Sequence, residues 1–301
     1  MTNWRQGGLA AGGVTRRRVS IQSELKMATK TVENKFSVGD SRRREPEKFQ
    51  HVRYRIEGAV ARLTLNRPEH NLLNELMLRE LADGIATLSE KDTVKMIVLA
   101  AAGKVFSGGV DIGEYTTERA FQMLDAFHAA CIAMIEAVQP VLVVVDGPAI
   151  GGGAELIAYG DLVVATPRAR FALPEITIGV FPPLASTMLP HIIGPKRALE
   201  LVLTGEAITA ERARELGLVN RLVPEAQLRS AVDELIKKIT AQSGAVLGMA
   251  KKAVVGGMGM SFREALRHSM NVFLNELYRL EDSQEGLRAL LEKRKPQWKN
   301  R

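Results

Sequence analysis

The hydrophobic rhythm of the chain changes several times, and each change marks an element. Over residues 59–66, Ala59, Ala61, Leu63 and Leu65 alternate with Val60, Arg62, Thr64 and Asn66. That is the period of a strand with one buried face. A partner strand is expected over 52–56, joined to it at Gly58. The period then becomes helical: from about Asn74, Met77, Leu81, Ile85 and Leu88 fall on one stripe. A short apolar strand is expected over 96–101 and a helix over about 118–138. Residues 141–145 are an unbroken β-branched and aliphatic run, as in a strand buried on both faces. Residues 162–165 and 170–172 read as further short strands. This alternation predicts an α/β layer fold. After Pro182 the pattern is mostly helical. Phe262, Leu266, Met270, Phe273, Leu277 and Leu280 recur at spacings of 4, 4, 3, 4 and 3. One long amphipathic helix is therefore expected, its stripe buried against the body or against a neighbouring subunit.

Composition narrows the function classes. The 301 residues are 46% hydrophobic and 25% charged, the balance of a soluble globular protein. A single cysteine, Cys131, excludes an intrachain disulfide and a cysteine-built zinc site. The five histidines show no pair at helical ligand spacing, so no metal site is expected. The longest uncharged stretch, 176–195, carries Pro182, Pro183, Pro190 and Pro195, which would break a spanning helix. No membrane role and no secretory signal are expected.

The net charge of +7 is unevenly placed. Residues 1–48 hold 11 Lys/Arg against 5 Asp/Glu, and the rest holds 30 against 29. The basic character belongs to the N-terminal extension and does not argue that the folded body binds nucleic acid. Residues 1–48 are rich in Gly, Arg, Ser and Thr, have no hydrophobic period, and are expected to be disordered. Arg16-Arg17-Arg18 and Arg42-Arg43-Arg44 allow several readings: a solvated tail, a start that truly lies at Met27, an RNA- or anion-binding arm, or an organelle presequence. The default compartment is the cytoplasm.

Two glycine-rich turns follow strands. The first is Phe106-Ser107-Gly108-Gly109-Val110-Asp111, and the second runs from Asp146 through Gly151-Gly152-Gly153 to Glu155. In the second, a buried strand ends, the glycines allow a tight path and a helix begins. A helix N-terminus offers unpaired N–H groups, which suit a phosphate or a developing oxyanion. Close helix–strand packing would also explain the glycines. Neither Gly-x-x-x-x-Gly-Lys-Ser/Thr nor Gly-x-Gly-x-x-Gly after a strand is present. Two acids lie among apolar neighbours: Glu155 in the first turn of the helix, and Glu175 in 171–179. Each alone could be a capping charge or half of a buried ion pair. Burial raises carboxyl pKa values into the range useful for general acid–base work. Together with the two turns, the pair points to catalysis.

These segments resemble the enoyl-CoA hydratase/isomerase, or crotonase, superfamily over about residues 50–301. The likeness rests on Asn66-Arg67-Pro68, on 106–112, on Gly151-Gly152-Gly153-Ala154-Glu155, on Pro174-Glu175-Ile176 with Gly179, and on Leu203-Thr204-Gly205. Ala213 with Gly217-Leu218-Val219, Glu285-Gly286 and Glu292-Lys293-Arg294 extend it. The resemblance implies a crotonase-like α/β spiral of ββα units over 49–255 and a C-terminal helical trimerisation region over 256–301, assembled as a homotrimer or hexamer. It implies an acyl-CoA thioester substrate and no cofactor beyond the coenzyme A that the substrate carries.

The implied oxyanion hole is the pair of backbone amides of Val110 and Gly152. One such donor is typically worth roughly 3–4 kcal/mol in the transition state. Glu155 and Glu175 would work on one water, as in the hydratases of the family, although some isomerases keep both acids. Arg67, Lys104, Gly109 and Lys293 match coenzyme A contacts, Lys293 reaching a neighbour's coenzyme. Ile112, Phe181, Pro183 and Leu184 would line the acyl pocket. The chain departs from common hydratases at Gly113, where a lysine is frequent, and after Pro182, where Pro183-Leu184-Ala185-Ser186 replaces a glycine-rich run. The run from Gly179 to Ser186 and the ending from Leu291 to Arg301 are similar to cyclohexa-1,5-diene-1-carbonyl-CoA hydratases. The resemblance thus implies a hydro-lyase, with a double-bond isomerase as the alternative.

Overall fold

The computed structural model describes residues 43–114 and 119–301, and residues 44–301 form one compact unit. The extension expected at 1–48, with Met27 as its alternative start, lies outside the described residues up to position 42.

The alternating pattern becomes a hairpin of β1 (Val52–Glu57) and β2 (Val60–Leu65). Ala61, Leu63 and Leu65 are fully buried while Arg62 and Thr64 stay partly exposed, as the period requires. Helix α1 (Glu75–Ser89) follows. Its N-cap Asn74 accepts the Met77 amide, and Met77, Leu81, Ile85 and Leu88 are all buried. The continuing order is β3 (Met96–Ala101), α2 (Ala120–Glu136), β4 (Val141–Val145), β5 (Ala149–Ile150), α3 (Gly152–Ile157), β6 (Leu162–Ala165) and β7 (Arg170–Ala172). Then come α4 (Pro183–Ile193), α5 (Pro195–Thr204), β8 (Ile208–Thr209), α6 (Ala210–Leu216) and β9 (Arg221–Leu222).

The main sheet runs β1-β2-β3-β4-β6-β9, antiparallel only at its first pair. A small second sheet, β5-β7-β8, stands beside it. The core lies between the main sheet and α1 and α2, where Leu63, Leu81, Ile85, Leu99, Phe127 and Val143 share one cluster. Helix α7 (Leu228–Thr240) covers the other face, packing Val232, Leu235 and Ile236 on Met96, Val98 and Leu142. Glu80 is buried and accepts the amides of Gln50, His51 and Val52, so α1 fixes where β1 begins.

The C-terminal part holds α8 (Gly244–Val255), α9 (Phe262–Asn271) and α10 (Glu281–Leu291). The single long helix expected over 262–280 is a correction. A regular α9, opened by a Ser261–Glu264 capping box, gives way to a π-helical turn over Val272–Glu276 and a 3-10 turn over Leu277–Arg279. The wider turn rotates the face, so Val272 is buried while Phe273 is half exposed. Phe262, Leu266 and Met270 are 87%, 52% and 53% exposed, so this stripe is not covered by the chain's own body. Among the described residues no helix is long and apolar enough to cross a membrane.

Candidate active site

The first glycine turn is held by a brace laid along it. Leu73 donates to the Gly109 carbonyl, and the Leu73 carbonyl accepts the Asp111 amide. This parallel bridge uses the groups on either side of Val110, so the Val110 amide points away from Leu73. The brace itself is pinned by Asn71, fully buried at φ +48°. The Asn71 side chain accepts the Arg67 amide and donates to the carbonyls of Ala102 and Val105. The Ser107 hydroxyl donates to the Asn71 carbonyl and accepts the Gly109 amide. Gly109 sits at φ +102°, and a Cβ there would lie 3.1 Å from the Ile150 carbonyl oxygen and 3.8 Å from the Gly152 nitrogen. Only glycine lets the two turns approach so closely.

The second turn leaves β5 through Gly151 at φ +51°, where a Cβ would meet Glu175 Oε1 at 2.6 Å. Gly152 opens α3, and the first amides of a helix have no intrahelical acceptor. Neither the Val110 nor the Gly152 amide is engaged by another group among the described residues.

Three residues into α3, Glu155 is almost fully buried. Its Oε1 accepts the amides of Leu184 and Ala185 at 2.9 Å each, at the start of α4. Burial, opposed by the two amides and reinforced by the Glu175 charge, pushes the Glu155 carboxyl up to about 7. Glu175 lies in a 3-10 turn over Pro174–Ile178. Burial raises its carboxyl too, and its buried Oε2 has no hydrogen-bond partner among the described residues. Two carboxyls of raised pKa thus meet at one place, the pattern of acid–base chemistry near neutral pH.

Both face a cavity of about 230 Å³. Of the residues read as acyl pocket, Ile112, Phe181 and Pro183 line it, together with Gly109, read as a coenzyme A contact, and Val110, read as an oxyanion donor. Gly152 is buried behind Gly151 and is not on the wall itself. Among the described residues no group of three His, Cys, Asp or Glu side chains could hold a metal ion.

The enoyl-CoA hydratase/isomerase family model matches residues 55–301. The chain belongs to that family. Its relatives include cyclohexa-1,5-dienecarbonyl-CoA hydratase of Thauera aromatica, 33% identical over 81% of this chain and 95% of the relative. A probable enoyl-CoA hydratase of Rhizobium meliloti is 35% identical over 84% of this chain and 99% of its own. The crystal structure of the Bacillus anthracis enoyl-CoA hydratase has a TM-score of 0.79 at 29% identity, covering 84% of this chain and all of that one. The crotonase fold is thereby shown.

Within this family member, several expected contacts sit elsewhere. Leu184 does not line the cavity: its side chain packs on the core, and its backbone serves Glu155. The reason is the helix start at Pro183, which turns the next side chain inward. Arg67 is occupied: Nη2 donates to Asp111 Oδ2 at 2.7 Å and Nη1 to the Leu72 carbonyl at 2.9 Å. Its place is that of a strut behind Val110 rather than of a free cation. The structure does not bring Lys104 or Lys293 to the cavity. Lys104 is exposed, and Lys293 lies past α10 at φ +54°. Sequence reasoning missed Met123, Leu124 and Phe127, the α2 part of the wall, and Ile178 and Val180 after Glu175. The α2 residues follow a helical stripe that reads as plain core. Asn71 carried one usable signal, a polar residue directly before the apolar pair Leu72-Leu73.

Proposed function

We propose that the protein is a hydro-lyase that adds water to the double bond of an α,β-unsaturated acyl-CoA, or removes it. The observation that carries this reading is the meeting of two pKa-raised carboxyls, the buried Glu155 and the half-buried Glu175, at one cavity beside two amides unengaged among the described residues. The thioester carbonyl would accept hydrogen bonds from Val110 and Gly152, which stabilise the enolate as it forms. One carboxylate would take a proton from water as its oxygen bonds to the β-carbon. The other carboxyl would hold the same water and deliver a proton to the α-carbon. The buried, unpartnered Glu175 Oε2 suits a group that must bind water.

We assign a cyclic dienoyl group as the acyl substrate. Phe181 and Pro183 line the cavity with Met123 and Phe127, the proline ring restricting the backbone there, and the Thauera relative is named for such a substrate. The exposed α9 stripe would cover a neighbouring subunit in a homotrimer or hexamer, where Lys104 and Lys293 would reach coenzyme A. The test is a parallel assay of crotonyl-CoA and cyclohexa-1,5-diene-1-carbonyl-CoA, with products identified by mass. Preference for the ring supports the whole proposal. Preference for crotonyl-CoA keeps the mechanism and removes the substrate. Unchanged mass with a moved double bond makes the protein an isomerase.

A further inference from the structure

The first turn of α4 carries the two amides that hold Glu155, and a residue outside the cavity ties that turn down. Tyr159 follows Glu155 by four residues, just past the end of α3. Its hydroxyl donates to the Leu184 carbonyl at 3.0 Å. That carbonyl shares a peptide unit with the Ala185 amide, which donates to Glu155 Oε1 at 2.9 Å. Phenol, peptide and carboxylate therefore form one line of hydrogen bonds. Polarising a peptide at its oxygen strengthens its N–H as a donor, and a low-dielectric interior amplifies the effect.

The donor end is secure. Tyr159 is buried, and that burial, with the Cys131 thiol and Glu155 behind it, raises the phenol well above its ordinary pKa. It stays protonated through the working pH range. The titratable groups facing the Glu155 carboxyl are Glu175 from the 3-10 turn, Cys131 from α2 and Tyr159 itself. The Glu175 charge and burial disfavour the carboxylate while the thiol and the phenol stay neutral, so the amides from α4 are what holds its charge. Tyr159 acts on one of those two amides.

We propose that Tyr159 is a positioning residue for Glu155: by gripping the Leu184–Ala185 peptide, it sets the hydrogen bond on the carboxylate and the seat of the first turn of α4. The proposal rests on Glu155 being one of the two working carboxyls. Two variants test it. Tyr159→Phe removes only the hydroxyl, and 3-fluorotyrosine at 159 makes it a stronger donor. The readouts are the pH–rate profile and the Glu155 titration, followed by carbon-13 NMR of glutamate-labelled protein and assigned with Glu155→Gln.

In Tyr159→Phe the Glu155 titration, and the pH–rate limb that reports it, should move up by about half a unit. In the same variant kcat should fall roughly threefold to tenfold with KM little changed. Fluorotyrosine should move the titration down. A titration unmoved in both variants, with only the melting temperature lowered, would overturn the proposal and leave Tyr159 a packing contact. If the unmodified protein hydrates no acyl-CoA, the hydratase reading fails, while the titration still decides the role of Tyr159.

Discussion

At Glu155 burial and hydrogen bonding pull against each other, and burial wins, which leaves a carboxyl near 7. This has a consequence for stability. A carboxyl whose folded pKa lies above its ordinary value binds its proton more tightly in the folded chain. The stability it brings is complete below about 4.5 and is lost as pH rises through about 7. The loss should be about 3 kcal/mol across that window. Denaturant titrations of the protein and of Glu155→Gln check it: the variant should lack this part of the pH dependence. Arg67 makes a second prediction at this scale. Its bidentate reach to Asp111 and Leu72 braces the turn that presents the Val110 amide. Arg67→Lys keeps the charge but not the fork. It should lower kcat by about tenfold or more while changing KM less, because a loosened oxyanion donor acts on the transition state. An equal rise of KM with kcat unchanged would make Arg67 a coenzyme contact instead.

Elements were legible where one side of a segment stays buried along its whole length. The 59–66 alternation and the Met77–Leu88 stripe fall where the sequence puts them, since each buries against a single partner layer. The C-terminal stripe misled because spacing alone does not show a helix changing pitch. Val272 turns inward there, and the turn widens to allow it. The candidate acids could be read from apolar neighbours, whereas the α2 wall could not: Met123 and Phe127 look like any core stripe until a cavity opens beside them. Leu184 failed for a related reason, since a pattern gives no helix phase at a proline start. Glu80 supplies the prediction for this scale. It joins α1 to the three amides that begin β1. Glu80→Ala strips all three of their acceptor and should cost about 3 kcal/mol. Chemical denaturation reads the loss, and a cost under about 0.5 kcal/mol would show that water replaces the carboxylate freely.

For the whole molecule, the exposed stripe of α9 sets the expectation. Phe262, Leu266 and Met270 are too apolar and too exposed for a face left in water. With the proposed subunit contact made through this stripe, Leu266→Glu together with Met270→Glu should give a smaller sedimenting species in analytical ultracentrifugation without unfolding the chain. An unchanged sedimentation coefficient would contradict the proposed contact through α9. The central claim concerns the two carboxyls and one water, and labelled water tests it most directly. With an α,β-unsaturated acyl-CoA in oxygen-18 water, the product should carry the label on the β-carbon. Glu155→Gln and Glu175→Gln should each lower the rate by about a hundredfold or more, the usual weight of a general acid or base. An unlabelled product with a shifted double bond, or labelled product formed at an unchanged rate in both variants, would contradict the account.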